Sequence, residues 1–178
     1  MALNTLEEIA SYIVADGKGI LAADESNPTC GKRFDSIGVE STEENRRTYR
    51  ELLFSSEGMK GNIGGVILFD ETIKQNTKNG ISLVELIVNQ GALPGIKVDK
   101  GLQPIEGYED ETITVGLEGL NERLEAYYNL GAKFTKWRAV IRIGENIPSQ
   151  IAIDKNMEAL ADYAKLVQKN NMVPMVEP

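Results

Sequence analysis

The sequence contains no histidine among its 178 residues. This absence excludes nucleophilic sites in which a histidine activates a serine or a cysteine, and zinc sites that use imidazole ligands. Acid–base chemistry in this chain would therefore depend on carboxylates, lysines or tyrosines. The single cysteine, Cys30, cannot form a disulfide within the chain, which is typical of a reducing, cytoplasmic setting.

Long apolar runs and excess positive charge are also missing. No run approaches the ~20 apolar residues of a membrane span, and the N-terminus lacks the basic and apolar pattern of a signal peptide. The net charge of −8 argues against nucleic acid or an anionic membrane as a partner. An apolar content of 42% is enough for a sizeable core, and we expect residues 1–178 to form a single domain.

Five apolar, strand-like segments alternate with segments of helical periodicity. The predicted strands lie at 18–26, 64–70, 95–99, 131–143 and 172–178. The predicted helices lie at 5–16, 41–54, from 82 onward, 119–130 and 148–170. We expect loops after the Asn27–Pro28 pair and over 101–112, and Pro174 argues against a regular central strand in the last segment. This alternation predicts an α/β fold with a parallel sheet.

Each predicted strand ends in charged residues. These are Asp24, Asp70, Lys97, Lys136 with Arg138, and Glu177. In β/α barrels, the carboxyl ends of the strands and the loops that follow them form the active site. An eight-stranded barrel needs ~250 residues, so the sequence predicts either an open, doubly wound sheet or the front part of a longer barrel.

Three of these charged residues are cations that the predicted sheet brings together. Lys97 and Lys136 fall on adjacent strands, and Arg138 lies one pleat beyond Lys136. Strands are ~4.8 Å apart, so all three side chains could contact one phosphate group. The alternative is that they form ion pairs with acidic neighbours inside the sheet. Asp24 and Glu177 lie at the two edges of the predicted sheet. Glu177 is a candidate for proton transfer, and the alternative is that it is a surface acid at the end of the chain.

Six sequence segments occur in an order and spacing that resemble a known enzyme family. They are 19–26 (GILAADES), 42–47 (TEENRR), 64–69 (GGVILF), 95–101 (GIKVDKG), 136–138 (KWR) and 173–178 (VPMVEP). Together, from about residue 5 to the last residue, they resemble the first half of the class I fructose-bisphosphate aldolases.

The resemblance implies a TIM (β/α)8 barrel, of which this chain carries the N-terminal helix and about the first five strands. It implies a cytoplasmic, homotetrameric lyase of glycolysis and gluconeogenesis, which cleaves fructose 1,6-bisphosphate reversibly into dihydroxyacetone phosphate and glyceraldehyde 3-phosphate. The family uses a lysine Schiff base and neither a metal nor another cofactor. Its partners would be the sugar bisphosphate, the triose phosphates and other copies of the chain or a complementary barrel fragment.

The resemblance also assigns roles to individual residues. Asp24 would help proton transfer and carbon–carbon cleavage, Lys136 would assist carbinolamine chemistry beside the Schiff base, and Glu177 would be the principal acid–base group. Residues placed where the family handles substrate phosphate or hydroxyl groups are Ser26, Thr29, Arg33 and Lys97, with Arg46 and Arg138 as further members of the pocket.

No lysine of this sequence matches the Schiff-base motif, which lies on a later strand in the family, beyond Pro178. We therefore expect the isolated 178-residue chain to be inactive. Two alternatives remain open at this stage: an aldolase for another sugar phosphate, and a non-catalytic half-barrel that binds phosphate or a protein partner.

Overall fold

A parallel five-stranded sheet forms the centre of the molecule. The computed structural model describes residues 3–178; Met1 and Ala2, part of the segment that lacks a signal-peptide pattern, lie outside the described residues. The strands are β1 (Gly19–Ala23), β2 (Ile63–Leu68), β3 (Leu93–Lys97), β4 (Leu102–Ile105), β5 (Tyr108–Thr114), β6 (Phe134–Arg138) and β7 (Val173–Glu177). The main sheet has the order β1-β2-β3-β6-β7 with every neighbour parallel, while β4 and β5 form a separate antiparallel hairpin.

One helix, α1 (Leu6–Ile13), precedes the sheet, and the other helices lie in the connections between its successive strands. These are α2 (Asn27–Asp35), α3 (Glu43–Phe54), α4 (Asp70–Ile73), α5 (Leu83–Asn89), α6 (Leu120–Asn129) and α7 (Gln150–Lys169), with a short 3-10 turn at Glu57–Met59. Side-chain caps fix several of the starts: Thr5 forms a capping box with Glu8, and Ser149 accepts a hydrogen bond from the Ala152 amide.

The two faces of the sheet pack into different apolar clusters. On one face, strand residues such as Val66, Ile96 and Trp137 are fully buried beneath the connecting helices. On the other face, Ile67 and Phe134 pack against Ile9 and Ile13 of α1. Because side chains alternate between faces along a strand, the face that carries Phe134 also carries Lys136 two residues later. Helix α1 thus fills the lower part of this face and leaves its upper part, at the carboxyl ends of the strands, for polar side chains.

Three predictions from the sequence are wrong in detail. The segment after Asn27–Pro28 is helix α2 rather than a loop, because Pro28 occupies the first turn, where its missing amide costs no hydrogen bond. The segment 101–112, predicted as a loop, contains most of the β4–β5 hairpin. The predicted strand 131–143 is shorter and ends at Arg138, whose carbonyl accepts a hydrogen bond from the Thr114 hydroxyl (2.7 Å).

The fifth strand is regular despite its proline. Pro174 lies on β7, which pairs with β6 on one side and is an edge strand of the described sheet. An edge position tolerates a residue without an amide hydrogen because one side of the strand makes no ladder bonds. The predicted strand at the end of the chain is therefore confirmed.

Candidate functional site

A cavity of about 880 Å³ opens at the carboxyl ends of the parallel strands. Of the residues at which the sequence predicts a site, Asp24, Ser26, Thr29, Arg33, Lys97, Lys136 and Arg138 line it. They come from the segment that follows β1 and from α2, β3 and β6, so the strand ends converge on one place as the sequence predicts. The cavity is large enough for a sugar carrying phosphate groups, since pockets for small ligands span ~300–1,000 Å³.

The Lys136 ammonium group lies between two carboxylates. Its Nζ is 3.1 Å from Asp24 Oδ2 and 3.3 Å from Glu177 Oε2. The side chains of Lys136 and Asp24 are only 10% and 11% exposed, whereas that of Glu177 is 43% exposed. The ion pairs that the sequence left open as an alternative for Lys136 are therefore present, while both Lys136 and Asp24 still line the cavity.

The contact between Lys136 and Asp24 requires a strongly curved sheet. Their strands, β6 and β1, are three positions apart in the order β1-β2-β3-β6, which would separate them by roughly 14 Å in a flat sheet. The side chains meet because both point to the concave face. Curvature thus brings together Asp24 and Lys136, which follow or lie on the first and fourth strands of the sheet.

Lys97 occupies the cavity wall next to Lys136. The two lysines are register partners on β3 and β6. Lys97 Nζ is 2.5 Å from Asp99 Oδ1, and the Asp99 side chain, 5% exposed, also accepts a hydrogen bond from the Gly101 amide. Lys97 is therefore held by a nearly buried carboxylate that also lines the cavity, and the Lys97 side chain remains partly accessible at 23% exposure.

Hydroxyl groups and an arginine form the wall nearest α2. Ser26 precedes the first residue of α2, and its hydroxyl oxygen lies 3.0 Å from that of Thr29. Arg33, 56% exposed, contacts the carboxylate of Glu25 and donates a hydrogen bond to the Tyr49 hydroxyl (3.2 Å). Hydroxyls and guanidinium donors are suited to bind phosphate oxygens.

Three predicted site residues lie at the margin of the cavity or outside its lining. Glu177 does not line the cavity, although it contacts Lys136, which does. Arg138 lines the cavity but is 58% exposed, with Nε 3.6 Å from Glu177 Oε1. Arg46 does not line the cavity. It instead binds Glu71 through two hydrogen bonds of 2.8 and 2.6 Å, and this pairing holds the pKa of the Glu71 carboxyl below its usual value.

The structure adds cavity residues that the sequence did not single out for a role. Tyr127 and Arg123 from α6 line the cavity together with Asp70, the first residue of α4. Tyr127 donates a hydrogen bond to Asp70 Oδ1 (2.7 Å), and burial together with this bond raises the pKa of Tyr127 to about 12. Burial, the largest influence on Asp70, acts to raise its pKa, but hydrogen bonds from Lys74 and Tyr127 bring that pKa below its usual value. Of these three residues, only Asp70 could have been expected at the cavity from the sequence, because it follows a buried strand. Nothing in the sequence indicated that α6 would contribute cavity residues.

Within residues 3–178, no group of three or more histidine, cysteine, aspartate or glutamate side chains is arranged to hold a metal ion. Across the same described residues, no helix is both long enough and apolar enough to cross a membrane.

Comparison with known proteins gives a consistent result. The family model described as fructose-bisphosphate aldolase class-I matches residues 5–178. A probable fructose-bisphosphate aldolase class 1 of Xanthomonas campestris is 55% identical over the whole chain, which covers 53% of that protein. The cytosolic fructose-bisphosphate aldolase 4 of Arabidopsis thaliana is 54% identical over 95% of the chain and 43% of its own length.

A solved structure is similar to almost the whole chain. It is a fructose-bisphosphate aldolase from Plasmodium falciparum in complex with TRAP and a small molecule inhibitor, with a TM-score of 0.95 and 47% identity, and the alignment covers 97% of this chain and 50% of that one. The predicted fold class is confirmed: the parallel sheet is a half-barrel, part of a TIM barrel. The chain spans about half the length of the relatives it matches. On this evidence, the chain belongs to the class I fructose-bisphosphate aldolase family.

Proposed function

We propose that residues 1–178 are one domain, the N-terminal portion of an aldolase that cleaves fructose 1,6-bisphosphate reversibly into dihydroxyacetone phosphate and glyceraldehyde 3-phosphate. The observation that carries this proposal is the position of Lys136 Nζ, 3.1 Å from Asp24 and 3.3 Å from Glu177, on the concave face where the strand ends meet. Lys136 is thereby within contact distance of two carboxylates with which it can exchange protons.

The chemistry of a retro-aldol cleavage explains why such a cluster is useful. The substrate carbonyl forms an iminium with a lysine, which we place in the part of the barrel outside this chain. A base removes the proton of the hydroxyl on the second carbon from the iminium carbon. The bond between this second carbon and the first one then breaks, and its electrons move to the iminium nitrogen. Asp24 is our candidate for assisting this proton transfer because its carboxylate is buried and fixed by Lys136.

Formation and hydrolysis of the iminium also require proton transfer, to and from the carbinolamine oxygen. Lys136 is our candidate to donate to this oxygen, and Glu177 is our candidate for the principal acid–base group. Glu177 is more exposed than Asp24, so water can reach its carboxylate. Its Oε2 atom contacts the Lys136 ammonium, which provides a short route for a proton between the two side chains.

The cavity walls support binding of a phosphate group. Ser26 and Thr29 present hydroxyls and Lys97 an ammonium group, all lining the same cavity. Arg33 adds a guanidinium group with five N–H donors, of which Glu25 and Tyr49 use only part. Arg138 lies at the exposed margin and is our candidate for a peripheral contact, whereas the pairing of Arg46 with Glu71 favours a structural role for Arg46.

The test is a coupled cleavage assay on the complete enzyme, meaning this chain together with the rest of the barrel. Lys136→Met is expected to reduce kcat by at least ~10²-fold, because general acid–base groups contribute about 10²–10⁴-fold. Lys133→Met is the matched control: Lys133 immediately precedes β6, at the end opposite the cavity, with its ammonium 5.4 Å from the Tyr128 ring centre. Equal activity in both variants would refute the role of Lys136.

The isolated 178-residue chain is expected to show no turnover in the same assay. Turnover by the isolated chain that borohydride trapping abolishes would contradict this expectation, since it would place a Schiff-base lysine within these residues. Substrate profiling of the complete enzyme separates fructose 1,6-bisphosphate from other sugar phosphates, the alternative within the same enzyme class.

A second candidate function is a half-barrel that binds phosphate without catalysis, favoured by the cations and hydroxyls that this chain alone places in the cavity. Fructose 1,6-bisphosphate is then expected to raise the melting temperature of the isolated chain without reacting. Lys97→Ala should abolish the increase, and Lys133→Ala should retain it. An unchanged increase in Lys97→Ala would place the binding site elsewhere.

We also infer a cytoplasmic location and assembly into a homo-oligomer, a tetramer in the first instance. Relatives named as cytosolic aldolases support the location. Native mass spectrometry of the purified protein measures the number of copies and would detect a co-purifying barrel fragment. A monomer without a partner fragment would contradict the proposed assembly.

A further inference from the structure

Among the charged residues that have no role in the proposed reaction, Arg50 is the most deeply buried in the described part of the chain. It lies on α3, and its exposed fraction is 2%. A buried guanidinium loses its hydration, so every donor that it points inward needs an acceptor. The acceptors that Arg50 uses are therefore informative about its role.

Arg50 binds the backbone on both sides of Asp24. Its Nε donates to the carbonyl of Ala23 (2.8 Å), and its Nη2 donates to the carbonyl of Glu25 (2.9 Å). Ala23 is the last residue of β1, so the chain leaves the sheet ladder at this point. Backbone groups that leave a ladder need other partners, and one planar guanidinium supplies them to two carbonyls that flank the proposed acid–base residue.

The same guanidinium also contacts the side chain of Glu25. Arg50 Nη2 is 3.0 Å from Glu25 Oε2, and the Glu25 side chain is 9% exposed. The other carboxylate oxygen of Glu25 contacts Arg33, the proposed phosphate ligand on the cavity wall. The remaining arm of Arg50, Nη1, lies 3.0 Å from the sulfur of buried Cys30 in α2, the helix that carries Arg33.

We propose that Arg50 is a positioning residue that fixes two parts of the site at once. Through the carbonyls of Ala23 and Glu25 it holds Asp24 toward Lys136, and through the Glu25 carboxylate it holds Arg33 at the wall of the cavity. This inference rests on the proposed function, because it concerns the relative placement of the acid–base group and the phosphate-binding group of that site.

Arginine is required here because of its geometry. The planar fork donates in several fixed directions, whereas a lysine ammonium is a compact point charge on a flexible stem. Arg50→Lys keeps the charge opposite Glu25, but a lysine ammonium cannot reproduce the two hydrogen bonds to the carbonyls of Ala23 and Glu25 in the observed arrangement. A misplacement of about 1 Å at a catalytic group can cost ~10²-fold in rate.

The test compares Arg50→Lys with Arg47→Lys in the complete enzyme. Arg47 is on the same helix but forms its ion pairs with Glu44 and Glu51 of that helix, away from Glu25. Arg50→Lys is expected to lower kcat by about 10- to 100-fold and also to raise KM for fructose 1,6-bisphosphate. Arg47→Lys should leave both constants within about twofold, the range expected when no site geometry changes.

A third variant separates the two proposed roles of Arg50, the placement of Asp24 and the placement of Arg33. Glu25→Gln removes the ion pairs to Arg50 and Arg33 but keeps the backbone carbonyls, so it should raise KM by a larger factor than it lowers kcat. Arg50→Lys should instead affect kcat more strongly, because it releases the backbone beside Asp24. If the two variants changed kcat and KM in the same proportion, the assignment of separate roles to the backbone contacts and to the Glu25 contact would be overturned.

Crystal structures provide a readout that does not depend on activity. In Arg50→Lys, the Asp24–Lys136 separation is expected to exceed the 3.1 Å seen here, with α3 unchanged. If the unsubstituted complete enzyme does not cleave the sugar, the proposed function fails, and the structures still decide whether Arg50 positions Asp24. Unchanged kcat, KM and Asp24 geometry in Arg50→Lys would overturn the inference.

Discussion

The contact between Lys136 and Asp24 can be tested by a double-mutant cycle on the stability of the chain. At 3.1 Å and an effective dielectric constant of ~20, the attraction between two unit charges is about 5 kcal/mol, and desolvation of both nearly buried side chains offsets much of it. Lys136→Met leaves the Asp24 carboxylate without its counter-ion. We expect the free energy of unfolding to fall by about 3 kcal/mol, the lower end of the range for a broken buried pair, because the cavity admits water.

The remaining corners of the cycle make the prediction specific. Asp24→Asn should cost less, about 1–2 kcal/mol, because Lys136 keeps Glu177 as a partner. In the double variant Asp24→Asn/Lys136→Met the second change leaves no buried carboxylate without a counter-ion, because Glu177 is 43% exposed and keeps Arg138 as a neighbour. The loss of unfolding free energy in the double variant should therefore be about 2 kcal/mol smaller than the sum of the losses in the two single variants.

Urea unfolding at neutral pH, followed by circular dichroism, measures all four proteins. The control cycle uses Lys74→Met and Asp70→Asn, whose ion pair is also a lysine–aspartate contact but is about half exposed on both sides. Its coupling should stay below about 1 kcal/mol. Additivity within ~0.5 kcal/mol at Asp24 and Lys136 would refute the contact, and with it the curvature that brings β1 and β6 together.

Two further predictions concern packing and pH. Gly95→Ala should lower the free energy of unfolding by about 1–3 kcal/mol in urea titrations, because an added Cβ would overlap the buried Phe134 ring; an unchanged midpoint would contradict this packing. Glu71→Gln should destabilise the chain most at neutral pH, because Arg46 holds the pKa of Glu71 below its usual value of 4.5 in the folded state. This stabilisation is present above pH 4.5 and is lost as the pH falls through the lowered folded-state pKa. The free energies of unfolding of the two proteins should therefore converge in acid. A constant difference between them at all pH values would refute the pairing.

The sequence was sufficient to predict the five parallel strands because each is a short apolar run that ends in a charged residue. It failed at α2, where the Asn27–Pro28 pair was interpreted as a breaker although proline is well tolerated in the first turn of a helix. It also failed at the β4–β5 hairpin, which depends on distant contacts. Asn156 of α7 bonds the carbonyl of Thr112, at 2.9 Å, and the amide of Thr114. Local sequence carries no signal of such partners.

The candidate site shows the same division between local and long-range information. The residues on strand ends were predictable because parallel strands deliver their carboxyl ends to one edge. The bond between Asp24 and Lys136 was not predictable from strand order alone, since it depends on how far the sheet curves. Arg50 did carry a signal, because it precedes Leu53 and Phe54 by three and four residues and so shares their buried helix face. A charged residue on an apolar helix face indicates a buried partner.

The central claim is that the strand ends of this chain form one site for a doubly phosphorylated sugar. A crystal structure of the chain with fructose 1,6-bisphosphate tests it most directly. We expect one phosphate group to contact Lys97 and the hydroxyls of Ser26 and Thr29, with the sugar beside Lys136. A sugar bound outside this cavity, or a cavity that remains empty at saturating ligand, would contradict the claim.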